Sequence, residues 1–270
     1  MPPKLIATDL DGTLLRSDGT LGNQTRAVLD SCQRAGALLV LCTARPVRWM
    51  RPLGLEIGAR PLAVCDNGAV LWDLAGDRLL GSQALESEEA KIVVSAVSTA
   101  LPGGAWAVER IDGFGHEPGY RPHWPPPDGT VVDHAAVLLD EPAIKLMFRH
   151  LAYTADEMLG PARLAAGERA EVTHSNSTGD LLEISAPGVS KARALARICH
   201  ERGIGPEAVV AFGDMPNDLN MLRWAGHGVA VAGAHPDVLA AAEEVAPGND
   251  EDGVARVLAR LFSLPEPVTR

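Results

Sequence analysis

Apolar residues follow two different rhythms along this chain. At both ends, short unbroken apolar runs alternate with stretches of helical spacing. The runs are KLIAT (Lys4–Thr8), ALLVLC (Ala37–Cys42), Leu62–Cys65, AVVAF (Ala208–Phe212) and Val229–Val231. Strands covered on both faces have this composition, and they belong to parallel sheets. Thr25–Ala35, Ser190–Arg202, Pro216–Ala225, His235–Glu243 and Asp252–Phe262 repeat their apolar residues with a period of about 3.6 and predict helices. Gly36 and Gly203 are stop signals and Ser190 is an N-cap. Val70–Trp72 and Arg78–Leu80, joined around Ala75-Gly76-Asp77, read as a hairpin.

The middle is different. From Leu101 to Asp140 prolines, glycines and histidines cluster, as in PGYRPHWPPPDG, and no helical period is visible. Around that stretch lie helices at Glu86–Ala100 and near Thr154–Leu164. Strands are expected at Ala105–Ile111, Ala143–Arg149, Glu171–His174 and Leu181–Ile184. That is an α+β unit with antiparallel pairing. The expected architecture is therefore α/β: a doubly wound parallel-sheet core, split in sequence by an inserted α+β domain. The core takes residues 1–82 and 184–270, and the insertion residues 83–183. The closing SLPEPVTR is expected to fray.

Composition narrows the function. Of the 270 residues, 46% are hydrophobic, enough for a core and too many for a disordered chain. The net charge of −11 repels phosphate backbones, and 4% aromatics leave little for base stacking, so nucleic acid is not an expected partner. No apolar run approaches the roughly 20 residues of a membrane span. The opening MPPKLIATDLDG does not resemble a signal peptide. Cys32, Cys42, Cys65 and Cys199 are far apart and form no CxxC pair. They read as reduced, buried thiols of a cytoplasmic protein.

The polar residues at the ends of the predicted strands carry the chemistry. Asp9-Leu10-Asp11-Gly12-Thr13 directly follows the first strand, and ligands in doubly wound sheets bind beyond the strands' carboxyl ends. Calcium binding of the EF-hand kind is excluded: counted from Asp9, the sixth position is Leu14 instead of Gly, and the twelfth is Thr20 instead of Glu. Thr43 stands at the tip of the second strand. Lys191 stands in the first turn of a helix, where the dipole disfavours a cation, and it is one of only four lysines. Gly213-Asp214-Met215-Pro216-Asn217-Asp218 follows the strand AVVAF. Each feature alone has a plain structural explanation: an Asp-Gly turn, a helix cap, a snorkelling surface lysine, a capped turn. Together they gather carboxylates, a hydroxyl, an amide and a lysine at one edge of the core. Hard oxygen ligands without His or Cys suit Mg²⁺.

These stations resemble the four motifs of the haloacid dehalogenase-like (HAD) superfamily of phosphohydrolases: DLDGTLL the first, Thr43 the second, Lys191 the third and GDMPND the fourth. Cys65-Asp66-Asn67-Gly68-Ala69, Ile144-Lys145-Leu146, Glu183-Ile184, Gly188-Val189-Ser190-Lys191, Ala225-Gly226 and Asn249–Val254 resemble its Cof-type branch, whose cap is of the C2B kind. Three positions depart from the pattern: Ala44 and Ala192 replace glycines, and Gly233 replaces an asparagine.

The resemblance implies a Rossmann-like core with a cap, and a phosphatase of small phosphomonoesters such as sugar phosphates. It implies Asp9 as nucleophile and Asp11 as acid and base. Asp9, the Asp11 carbonyl, Asp214 and Asp218 would be magnesium ligands, with Asp218 direct or one step removed. Thr43, Lys191, Asn217 and the N–H groups of Leu10 and Ala44 would be phosphate binders. A phosphomutase such as phosphomannomutase, or a non-hydrolytic phospho-acceptor, are the alternatives. The expected partner is a small phosphorylated metabolite, with no membrane and no nucleic acid, and the chain a monomer or weak homodimer. In the insertion, Trp106, Phe114, Tyr120 and Trp124 are expected to form a small core, or in part a leaving-group pocket with Arg121, His116 and His123.

Overall fold

A computed structural model describes residues 1–57, 61–176 and 179–267. The expected fraying at the terminus falls partly on 268–270, outside the described residues. The chain divides into two compact units, one of residues 1–81 and 190–270, the other of 82–189.

The first unit begins with β1 (Leu5–Thr8), α1 (Asn23–Arg34), β2 (Leu38–Cys42), α2 (Val47–Ile57), β3 (Leu62–Cys65), β4 (Val70–Asp73) and β5 (Arg78–Ser82). The second contains α3 (Ser87–Ala100), β6 (Ala105–Arg110), β7 (Gly113–His116), β8 (Val131–Val132), α4 (Ala135–Leu138), β9 (Lys145–Arg149), α5 (Ala155–Ala166), β10 (Glu171–Thr173) and β11 (Leu181–Ser185). The first unit resumes with α6 (Lys191–Arg202), β12 (Val209–Gly213), α7 (Leu219–Trp224), β13 (His227–Val231), α8 (Pro236–Ala241), β14 (Glu244–Ala246) and α9 (Gly253–Leu261).

The first unit is built on an eight-stranded sheet in the order β14-β13-β12-β1-β2-β3-β4-β5. From β14 to β3 every neighbouring pair is parallel, and β4 joins β3 antiparallel. The unbroken apolar runs are explained by burial on both faces. Leu5, Ala7, Val40, Val64 and Ala211 pack in one cluster with Leu195 and Ile198 of α6, Met221 of α7 and Val238 of α8. Their alternates Ile6, Leu39, Leu41, Val210 and Phe212 are equally buried, as the two-residue period of a strand requires.

Strand order decides where the site lies. The chain steps outward from β1 to β3, returns, and steps outward the other way from β12 to β14. The direction therefore reverses between β1 and β12, whose register pairs Thr8 with Phe212. That reversal is the switch point at which such sheets open a crevice beyond their carboxyl ends.

The second unit has its own six-stranded sheet, β10-β11-β9-β6-β7-β8, antiparallel except for the β7–β8 pair. Helices α3 and α5 pack together, and α5 lies on β10 and β11. Trp106 and Phe148 stack with centroids 4.8 Å apart, and the indole N–H donates to Ser98 Oγ. A second cluster joins Ala107, Phe114, Tyr120 and Met147. Three of the four aromatics singled out in the sequence are thus packed inside this unit, whereas Trp124 is exposed. Strand β6 falls on the strand expected at Ala105–Ile111, and the rest of the stretch 101–140, where no helical period shows, holds β7, β8 and the short helix α4. Among the described residues no helix is long and apolar enough to cross a membrane.

Candidate active site

The site is assembled from loops that leave the carboxyl ends of the first unit's strands. Asp9 follows β1 and is held to its neighbour by its N–H, which donates to Phe212 O at 2.9 Å. Gly12 turns the chain with φ of +82°. A Cβ there would lie 2.5 Å from Asp214 Oδ2, so glycine admits both the turn and the close carboxylate. Thr13 Oγ1 donates to Asp214 Oδ1 at 2.7 Å. This bond ties the loop after β1 to the loop after β12.

Lys191 explains its unfavourable place on α6. The side chain is fully buried, and its ammonium donates to Asp9 Oδ1 at 2.5 Å and to Asp218 Oδ1 at 2.6 Å. The macrodipole penalty of a cation in the first turn is about 0.3–1 kcal/mol, small beside two buried charge-assisted bonds. Asp218 is engaged at both oxygens: besides the ammonium on Oδ1, Oδ2 accepts from the N–H groups of Asp214 and Met215 at 3.0 and 3.1 Å.

Three carboxylates, Asp9, Asp214 and Asp218, offer oxygens within 4.8 Å of one another, and all three are buried. One ammonium stands against them, leaving two negative charges. Burial pushes Asp9 well above the usual carboxylate range; Lys191 opposes this, and Asp218 and Asp214 add to it. Burial likewise raises Asp214 to about 7, with Asp218 beside it contributing. Burial alone would lower Lys191, but Asp218 and Asp9 outweigh it and hold the ammonium above its usual range. The residual charge, the hard oxygen donors and the absence of His or Cys from the cluster fit a divalent oxygen-seeking cation.

Thr43 is buried at the end of β2, its hydroxyl accepting the N–H of Arg45 at 3.0 Å. Ala44 follows it. Leu10 is fully buried, and its carbonyl receives the N–H groups of Leu14 and Leu15 at 3.0 and 2.8 Å, shaping the turn after Asp9. Asp11 is set apart from the buried carboxylates. Its side chain is 59% exposed and bidentate with Arg45, at 2.8 and 2.5 Å. Asn217 Nδ2 donates to Asn67 Oδ1 at 3.0 Å.

The structure thus brings Asp9, Lys191, Asp214 and Asp218 into one cluster. Thr13, Arg45 and Asn67 are contacts that the sequence reading did not assign. Thr13 and Asn67 stand inside stretches that carry the resemblance, DLDGTLL and Cys65–Ala69, and Arg45 lies two residues beyond Thr43, which is the available signal.

Comparison with known proteins agrees with this geometry. A family model described as haloacid dehalogenase-like hydrolase matches residues 6–258. Phosphatase YwpJ of Bacillus subtilis is 31% identical over 292 residues, covering 96% of this chain and all of that protein. The 5-amino-6-(5-phospho-D-ribitylamino)uracil phosphatase YcsE of the same organism is 26% identical, covering 94% of each. The crystal structure of SMU.1108c from Streptococcus mutans superposes with a TM-score of 0.83 at 23% identity, covering 97% of this chain and 99% of that one. A parallel sheet with its switch point at β1 and β12, an acidic cluster at that point and a family match across nearly the whole chain lead to one assignment. This protein belongs to the haloacid dehalogenase-like hydrolases of the Cof type and is a phosphoric monoester hydrolase.

Proposed function

We propose that the protein is a magnesium-dependent phosphatase of small phosphorylated metabolites, sugar phosphates foremost, working through an aspartyl-phosphate. The observation that carries this is the buried cluster at the switch point, where three carboxylates face a single ammonium. The name of the YcsE relative, which places its phosphate on a ribityl chain, supports a sugar-like leaving group.

In this mechanism a carboxylate oxygen of Asp9 attacks phosphorus, and the bond from phosphorus to the leaving oxygen breaks. Asp11 gives that oxygen its proton. It then takes a proton from water, whose oxygen attacks the phosphorus of the acyl phosphate, releasing phosphate and restoring Asp9. The Arg45 pair must loosen for Asp11 to carry the proton. Lys191, Thr43, Asn217 and the N–H groups of Leu10 and Ala44 bind the transferring oxygens, since phosphoryl transfer needs positioning and charge stabilisation above all. Asp9, the Asp11 carbonyl and Asp214 would hold Mg²⁺. Asp218, with both oxygens already engaged, would act from behind by fixing Lys191 and the Asp214 loop. The ion supplies positive charge that lets a carboxylate approach a phosphate dianion. Residues 83–183 serve as the C2B-type cap of the core formed by 1–82 and 184–270, and carry the groups that discriminate between leaving groups.

The purified protein should release phosphate from p-nitrophenyl phosphate and lose this activity in EDTA. Asp9→Asn should abolish it and prevent formation of a hydroxylamine-sensitive phosphoprotein. An Asp9→Asn enzyme that still turns over would end the mechanism. Isomerised sugar with little free phosphate would select the mutase instead.

A further inference from the structure

The turn Asp66-Asn67-Gly68 at the end of β3 plays no part in the mechanism above, yet its backbone is unusual. Asp66 and Asn67 have φ of 50° and 58°, and Gly68 follows at 112°. Two consecutive non-glycine residues in the left-handed region persist only where their surroundings impose it, and such strain gathers at functional sites. Asn and Asp are the side chains that tolerate it best. Both residues are buried.

The surroundings that impose this turn are the site itself. The N–H of Asn67 donates to Thr43 O at 3.0 Å, and that of Asp66 to Arg45 O at 3.2 Å. A Cβ on Gly68 would lie 2.4 Å from Ser190 O and 3.1 Å from Lys191 N, so the turn presses backbone to backbone on the start of α6. Asn67 Oδ1 accepts from Asn217 Nδ2 at 3.0 Å. Asn217 Oδ1 is buried with no hydrogen-bond partner among the described residues, so the bond to Asn67 is what orients this amide. One turn therefore touches Thr43, the Lys191 helix and Asn217. A turn that merely reversed the chain would need none of them.

We propose that Asn67 is a positioning residue for phosphoryl transfer. Its side-chain oxygen holds the Asn217 amide so that the second amide hydrogen faces the phosphoryl group, while the left-handed turn indexes Thr43 and the start of α6 to the same point. This rests on the reading of Asn217 as a phosphate binder.

The test is a double-mutant cycle on p-nitrophenyl phosphate, with inhibition by orthophosphate measured alongside. Asn67→Gly keeps the backbone angle and removes the acceptor; Asn67→Ala removes the acceptor and strains the angle. Both should lower kcat/KM, by up to about 10²-fold, as an ångström of misplacement does, and the alanine variant at least as far as the glycine one. Both should weaken orthophosphate inhibition, although only the alanine variant should melt at a clearly lower temperature. In an Asn217→Ala background Asn67→Gly should change kcat/KM no further. A wild-type kcat/KM in Asn67→Gly, or a loss carried undiminished into the Asn217→Ala background, overturns the proposal. Because glycine fits the angle, that variant decides the matter even if Asn67→Ala does not fold. Full activity in Asn217→Ala alone is a different failure: it would overturn the phosphate-binding role of Asn217, and this inference with it.

Discussion

Burial and the neighbouring Asp218 raise Asp214 to about 7, against the opposing hydrogen bond from the Thr13 hydroxyl. The sign of the consequence is definite. An unfolded chain releases the proton of such a carboxylate near 3.8, whereas the metal-free folded protein keeps it until about 7. Metal-free stability from this group therefore falls as pH rises through that window, and Asp9 acts in the same direction. A divalent cation needs the deprotonated form. The rise in melting temperature on exchanging EDTA for Mg²⁺ should be small at pH 5 and grow toward pH 8. Equal rises at both, followed by scanning calorimetry, would contradict the buried acidic cluster as the metal site. Much of this cluster was legible in the sequence. A lysine at a helix start and carboxylates after apolar strands have a shared chemical reason to be where they are. Arg45 and Asn67 were not legible as partners, because a bidentate pair to Asp11 or an amide pair to Asn217 exists only once separate loops have been brought side by side.

Helix α6 shows how an element serves the site. Ser190 Oγ accepts the N–H of Arg193 at 3.2 Å, and Gly203 ends the helix in the left-handed conformation, as their places in the sequence predicted. Losing such a cap costs about 1 kcal/mol. Ser190→Ala should lower the melting temperature by about 2–4 °C and, because Lys191 is the next residue, reduce kcat as well. Differential scanning fluorimetry beside steady-state kinetics checks both, and unchanged kcat would separate the cap from the lysine. Other elements escaped the sequence reading for identifiable reasons. Helix α2 contains Pro52, a residue expected to break a helix interior. Strands β8 and β14 have two and three residues, too few for a period to show. Strand β7 is half glycine; packing accounts for Gly115, where a Cβ would meet Leu138 of α4 at 2.7 Å, whereas Gly113 faces open space.

At the scale of the molecule, each unit has a sheet and an apolar cluster of its own. The second is also a continuous stretch of chain. A polypeptide of residues 82–189 alone should therefore fold and unfold in one cooperative transition, measurable by circular dichroism in urea. A gradual, non-cooperative loss of signal would show that the unit depends on the rest of the chain. The split between alternating ends and an antiparallel middle was visible in the rhythm of apolar residues, since parallel and antiparallel strands bury different faces.

The pairing of β1 with β12 has a further consequence during biosynthesis. Lys191 stands 182 positions after Asp9, and Asp214 stands 201 positions after Thr13. A ribosome adding about 5–20 residues each second exposes the Asp9 carboxylate many seconds before its ammonium partner is made. A nascent chain therefore carries Asp9 well before Lys191, Asp214 and Asp218, the charges it packs against. The buried acidic cluster can therefore close only after strands from both sides of the switch point have been made.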